Sequence, residues 1–131
     1  MQEPSVFTRI INGEIPSYKI YEDDHTIAVL TDRPAFDGHT LVIPKSQVDN
    51  IWDLSESDYD HLMKAARKIG ANIRKKLKCP RVAMVVEGFN IPHAHIHLYP
   101  VYNRGDARKA DRMSPDDKNL SKIAQKLRIS Q

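Results

Sequence analysis

Three of the six histidines in this 131-residue chain fall within five positions of the stretch PHAHIHLYP, Pro92 to Pro100, where His93, His95 and His97 alternate with Ala94 and Ile96. Side chains on a strand alternate faces, so the spacing predicts that the three imidazoles and Tyr99 share one side. Ala94, Ile96, Leu98 and Pro100 then take the other, packed side. Successive imidazoles on such a face lie roughly 6.5–7 Å apart. An in-line trio at that spacing does not converge easily on one ion without a further ligand, but it can touch successive atoms of an extended anion.

Three chemistries are open to such a set. An open catalytic zinc site wants three protein ligands, usually His with Asp, Glu or Cys. The stretch holds no carboxylate, and Cys79 falls in the turn after a helix with no second cysteine in the chain, so a metal site needs an acid from elsewhere. An inert polar strand is a poor use of three imidazoles, because like charges on one face repel when protonated. Nucleophilic catalysis fits the side chain best, since imidazole is substantially unprotonated near neutral pH and can form covalent intermediates. One histidine can then attack a phosphorus or acyl centre while its neighbours donate hydrogen bonds to developing negative charge. His95, flanked on both sides, is the natural nucleophile.

These residues need a scaffold, and the pattern of the chain outlines one. SVFTRIINGEIPS reads as a short helical turn closed by Asn12-Gly13. Residues 18–22 and 26–31 alternate apolar and polar about a DDH turn and predict a hairpin. Residues 32–38 form a loop, and 39–44 a third strand stopped by Pro44. Leu62, Ala66, Ile69, Ile73 and Leu77 recur at the helical period behind a cap at Ser55 or Ser57, with Lys75, Lys76 and Lys78 at the negative end. Strands at 81–87 and 93–101 follow, joined by GFNIP. A second helix is expected from Ser114-Pro115-Asp116-Asp117, with Ser114 as cap, Pro115 at its first position, and an apolar stripe of Leu120, Ile123, Ala124 and Leu127. The order β-β-β-α-β-β-α predicts an α+β fold: a mostly antiparallel five-stranded sheet with one long helix and a C-terminal helix.

Bulk properties set the frame. The length predicts one domain over 1–131, with 102–131 a basic C-terminal extension containing a helix. The composition, 40% hydrophobic and 28% charged, is that of a globular protein. No apolar run is long enough to span a membrane, the start lacks the pattern of a signal peptide, and a single cysteine forms no internal disulfide; a cytoplasmic protein is expected. The net charge of +3 is unevenly placed, with eight Lys or Arg against four Asp from Val101 onward. A solvated helix face explains this run most simply. Nucleic acid is not the expected partner, because aromatic residues do not interleave with the charges.

HAHIHLY resembles the His-φ-His-φ-His-φ-φ signature of the histidine triad nucleotide hydrolases and transferases. INGEIPSYKIYEDD is similar to that family's N-terminal segment, GHTLVIPKS to its glycine-histidine strand, and WDLSESD to its helix start. The resemblance covers most of the first hundred residues in the same order. It implies that His95 attacks the α-phosphorus of a nucleoside phosphoramidate or dinucleoside polyphosphate, forming a covalent nucleotidyl-histidine that water then releases. By the same resemblance His97 bonds the phosphate and leaving group, His93 orients the set, and His39 supports it from the neighbouring strand. A purine nucleotide substrate and a homodimer are also implied. A nucleotide- or nucleic-acid-binding module with little turnover is the alternative.

The departures from the family pattern are as informative. Many members bind a structural zinc through Cys-x-x-Cys near the N-terminus, a histidine after the IPK strand, and the first triad histidine. Here those places hold Ser5, Thr8 and Gln47, poor zinc ligands, so no metal and no cofactor are expected. The loop EGFNIPH is shorter than the usual glycine-glutamine stretch and resembles a bacterial-type variant, which moves the phosphate contact to Asn90 or nearby amides. The acid that holds the ribose hydroxyls falls at Thr31, with Asp32 one step later and expected to take the role. Ile10, Ile27 and Leu30 are candidates for the base pocket, although Phe7, Ile10 and Ile27 also read as ordinary core.

Overall fold

The computed structural model describes residues 2–106 and 115–131. Its central element is α2, Glu56–Leu77, capped by the Ser55 hydroxyl, which accepts the Asp58 N–H, and carrying Glu56 and Asp58 in its first turn. It stops where Lys78 turns left-handed at φ 52°, and Pro80 follows. Leu62, Ala66, Ile69 and Ile73 form its buried stripe. Further helical elements are a short α1, Val6–Ile11, a 3-10 turn at Ile51–Asp53 and α3, Asp117–Leu127.

The strands are β1 Tyr18–Glu22, β2 Thr26–Leu30, β3 Thr40–Pro44, β4 Arg81–Val85 and β5 Ile96–Val101. They form one sheet in the order β1-β2-β3-β5-β4 with every neighbouring pair antiparallel. The α+β architecture expected from the residue pattern is therefore the one observed. Period-2 alternation divides the sheet into two cores. Ala28, Leu30, Val42, Ile96 and Leu98 face α2, where Leu120, Ala124 and Leu127 of α3 join them. Ile27, Val29, Leu41 and Ile43 face the opposite way and pack on Phe7 of α1. α3 is also tied to β1 through the Ile129 N–H on the Ile20 carbonyl at 3.0 Å and Arg128 Nε on the Lys19 carbonyl at 3.2 Å.

Several boundaries differ from the expected ones. β2 and β4 end at Leu30 and Val85, and β5 begins at Ile96, so His93 and His95 lie before the strand. The reason is local: the His93 N–H turns back to the Ile91 carbonyl at 2.8 Å and the Ala94 N–H goes to the Val48 carbonyl at 2.7 Å, outside the sheet ladder. α3 is capped by Asp116, whose side chain accepts the Asn119 N–H, leaving Pro115 ahead of the cap and not inside the helix. A carboxylate there also meets the positive end of the helix dipole. Ser114, the expected cap, lies outside the described residues.

Candidate active site

β3 and β5 are adjacent, and Leu41 pairs with His97, so His97 shares the face of Leu41 and Phe7. His39 precedes β3 and is 1% exposed. Its Nδ1 accepts the Ala35 N–H at 2.9 Å, which leaves the neutral ring's hydrogen on Nε2. Nε2 lies 3.0 Å from Nδ1 of His97 and donates to it. His97 must then carry its own hydrogen on Nε2, which donates to the Glu87 carbonyl at 2.9 Å. A backbone donor at one end and a backbone acceptor at the other thus set the direction of the bonds along the pair.

His95 is fixed in the same way. Its Nδ1 lies 2.9 Å from the His93 carbonyl, which can only accept, so Nδ1 carries the hydrogen and Nε2 keeps a lone pair. The ring packs edge-on against Phe7 at 4.8 Å and lies 5.0 Å from the His97 ring. Burial lowers its pKa below the ordinary histidine value, opposed by the His93 carbonyl bond. The result is an imidazole that is neutral at pH 7 and lines a cavity, with a lone pair on Nε2. The backbone at Gly88 closes over it: a Cβ there would stand 2.5 Å from Cε1 and 2.8 Å from Nε2.

His93 is fully buried. Its Nε2–H donates to the Pro44 carbonyl at 2.7 Å, so Nδ1 accepts, and Ser5 Oγ stands 2.7 Å away to donate. Ser5 Oγ in turn accepts the Thr8 N–H at 3.0 Å as the cap of α1. Thr8 Oγ1 donates to Gln47 Oε1 at 2.6 Å, and that oxygen also accepts the Ser5 N–H at 2.8 Å. Ser5, Thr8, Gln47 and His93 therefore converge, but as partners of one another. Two hydroxyls and an amide do not fit zinc, and among the described residues no group of three or more His, Cys, Asp or Glu side chains could hold a metal ion. Burial also lowers the His93 pKa, against the Pro44 bond.

The other candidates from the sequence scatter around this centre. Ile27, 2% exposed, and half-buried Ile10 belong to the Phe7 cluster on the histidine face. Leu30 does not join them; it turns to the α2 core, as an odd spacing from Ile27 requires. Thr31 lies beside the set, its N–H on the His39 carbonyl at 3.1 Å, but its hydroxyl accepts the Arg33 N–H. Asp32 and Asn90 are exposed in the loops flanking the histidines. His25 and His61, outside the motif, stack on each other at 3.7 Å. Sequence reasoning missed two things: Phe7 as the wall against His93 and His95, and a cavity of about 340 Å³ reaching His95 between the 3-10 turn and residues 86–89. The carbonyls of Pro44, Glu87 and His93 have no sequence signal at all.

The geometry has close counterparts. A family model described as HIT domain matches residues 12–104. The protein hit of Bacillus subtilis is 33% identical over 141 aligned positions covering 98% of this chain and 97% of that protein. A crystal structure of a Hit-like protein involved in cell-cycle regulation from Bartonella henselae, with an unknown ligand, superposes with a TM-score of 0.85 at 28% identity, covering 98% and 97% of the two chains. A zinc-bound histidine triad family protein from Mycobacterium smegmatis gives 0.79 at 28% identity, covering 94% and 89%.

Proposed function

This chain belongs to the HIT-domain, or histidine triad, family, and on that premise we propose that it is a metal-independent nucleotide hydrolase or transferase with His95 as nucleophile. The family is one of nucleotide-binding hydrolases and transferases. The observation that carries the specific reading is the tautomer of His95: Nδ1–H on a carbonyl and a lone pair on Nε2.

In the proposed reaction Nε2 attacks the α-phosphorus of a nucleoside phosphoramidate or dinucleoside polyphosphate. A phosphorus–nitrogen bond forms to His95, and the bond to the leaving amine or phosphate breaks with its electron pair. The His97 Nε2–H swings from the Glu87 carbonyl to a phosphate oxygen, where it stabilises the developing charge. It acts as a hydrogen-bond donor to that oxygen. Water then attacks the nucleotidyl-histidine, restores the lone pair and releases a nucleoside monophosphate. His93 positions the nucleophile through its carbonyl. Phe7, Ile10 and Ile27 offer an apolar wall for a purine base, Asp32 or Thr31 the ribose contact, and Asn90 with nearby amides a phosphate contact.

The same reading extends to the assembly. We take residues 1–131 as one cytoplasmic domain, since α3 shares the α2 core, the one cysteine, Cys79, is free and buried, and no helix among the described residues is long and apolar enough to cross a membrane. A homodimer is proposed through β4, an edge strand whose exposed Met84 lines a groove with Gly70 and Ala71.

The test is incubation with an adenosine phosphoramidate after exhaustive chelation, with acid-quench trapping of the covalent intermediate by mass spectrometry. Turnover in chelator and a nucleotidyl adduct on His95 are expected, with both lost in His95→Asn. Activity that survives in His95→Asn, or that vanishes in chelator, would sink the proposal. Binding without turnover in the unaltered protein would leave the binding-module alternative standing.

A further inference from the structure

The cavity beside His95 is lined by Asp49 and Glu87, by the aromatic rings of Trp52 and Phe89, and by no lysine or arginine among the described residues. Trp52 is 80% and Phe89 97% exposed, an unfavourable display of large apolar surface unless something covers it. Neither ring serves the two hydrophobic cores. The cavity also lies in the direction of the chemistry. His95 itself lines it together with Gly88, whose backbone comes close to the Cε1–Nε2 edge of the ring, so a leaving group expelled from a phosphorus at Nε2 has this space beside it.

Charge decides what that space can accept. A polyphosphate leaving group carries several negative charges and would meet two carboxylates and no lysine or arginine among the described lining residues. An ammonium group is attracted by both carboxylates and by the faces of the two rings. We propose that Asp49, Trp52, Glu87 and Phe89 form a leaving-group subsite for an amine that carries a further positive charge. The preferred substrates are then nucleoside 5′-phosphoramidates of cationic amines and not dinucleoside polyphosphates. This rests on the hydrolase reading above and narrows its substrate class.

The step balances without another reactant. Solvent in the open cavity protonates the phosphoramidate nitrogen. The bond from Nε2 to phosphorus forms as the phosphorus–nitrogen bond breaks, and the amine leaves with the electron pair. Water later cleaves the adduct and returns a proton to solvent.

The experiment compares adenosine 5′-phosphoramidates of three amines of similar length: 1,4-diaminobutane with a free ammonium, pentylamine, and 4-aminobutyrate with a carboxylate. A diadenosine polyphosphate is the fourth substrate. The kcat/KM for the diaminobutane compound is expected about tenfold above that for pentylamine, with the carboxylate and the polyphosphate below both. In D49N/E87Q the ratio of the first two falls below about threefold, and high salt compresses it in the unaltered protein. Equal rates for the three phosphoramidates, faster turnover of the polyphosphate, or a charge preference that persists in D49N/E87Q each overturn the subsite. Turnover of none of the four overturns the hydrolase reading itself, and this inference with it.

Discussion

Ser5→Ala tests whether the hydrogen-bonded cluster around His93 stabilises the site or only decorates it. Ser5 is 5% exposed and its hydroxyl has two partners: it accepts the Thr8 N–H at 3.0 Å and donates to His93 Nδ1 at 2.7 Å. Losing the first is the loss of an N-cap, about 1 kcal/mol. Losing the second strands an acceptor in a fully buried ring, about 1–3 kcal/mol. Thr8 Oγ1 is 3.4 Å from the same nitrogen, but its hydrogen is already engaged by Gln47 at 2.6 Å, so it replaces the bond only by giving up another. The expected total is about 2–4 kcal/mol. Ser55→Ala provides the scale, because Ser55 caps α2 through the Asp58 N–H at 3.1 Å yet is exposed and has no buried partner among its bonds. Urea unfolding of both variants at neutral pH, with unchanged m-values, reads the difference directly. If Ser5→Ala costs no more than Ser55→Ala, the Ser5–His93 bond contributes nothing and the argument for a hydrogen-bonded substitute for a metal fails.

Gly88→Ala places a methyl group 2.5 Å from Cε1 of His95; the loop or the ring must yield, and a displacement of about 1 Å at a nucleophile lowers kcat/KM by roughly a hundredfold. Steady-state kinetics check this, and near-normal activity would show that the loop does not press on His95. Stability against pH is a second consequence. His93 and His95 both have pKa values held below the ordinary 6.5 by burial, so the unfolded chain binds protons more readily than the folded one. Their contribution is complete above that value and is lost as pH falls through it toward the depressed folded values. Thermal melts from about pH 7.5 to about 5.5 should show a declining Tm, shallower in His95→Asn; a flat profile in the unaltered protein contradicts the buried neutral state. Glu22 and Asp23, with lowered carboxyl pKa values, act only at lower pH and do not blur this window.

The fold was readable wherever one period governed a whole element. The α2 stripe from Leu62 to Ile73 and the strand alternation are determined by burial of one face, and both were found where the pattern put them. The parity of His93, Ala94, His95 and Ile96 even outlives the strand: Ala94 joins the α2 core although β5 begins only at Ile96. Parity also rules on Leu30. Three residues from Ile27, it could never share a face with it on one strand, and the expectation that both line a base pocket conflicted with the geometry used for the histidines. What stayed hidden was the backbone. No residue type announces that the carbonyl of His93 will hold the hydrogen of His95, or that the Ala35 N–H and the Glu87 carbonyl will bracket the His39–His97 pair.

That hidden part is what makes the three histidines unequal. As side chains they are identical, and a shared strand face would leave any of them free to attack. The backbone groups assign each ring its hydrogen: His93 and His97 place theirs on Nε2 against the carbonyls of Pro44 and Glu87, and His95 alone places its hydrogen on Nδ1. Only His95 therefore keeps its lone pair on Nε2, the atom farther from its own backbone. His93 spends its free nitrogen on Ser5 and His97 spends its own on His39. Three carbonyls and one amide thus single out His95, the proposed nucleophile, among chemically equal residues, which is why side-chain substitutions in the cluster around Ser5 should act on the site through position and stability before they touch the reacting atoms.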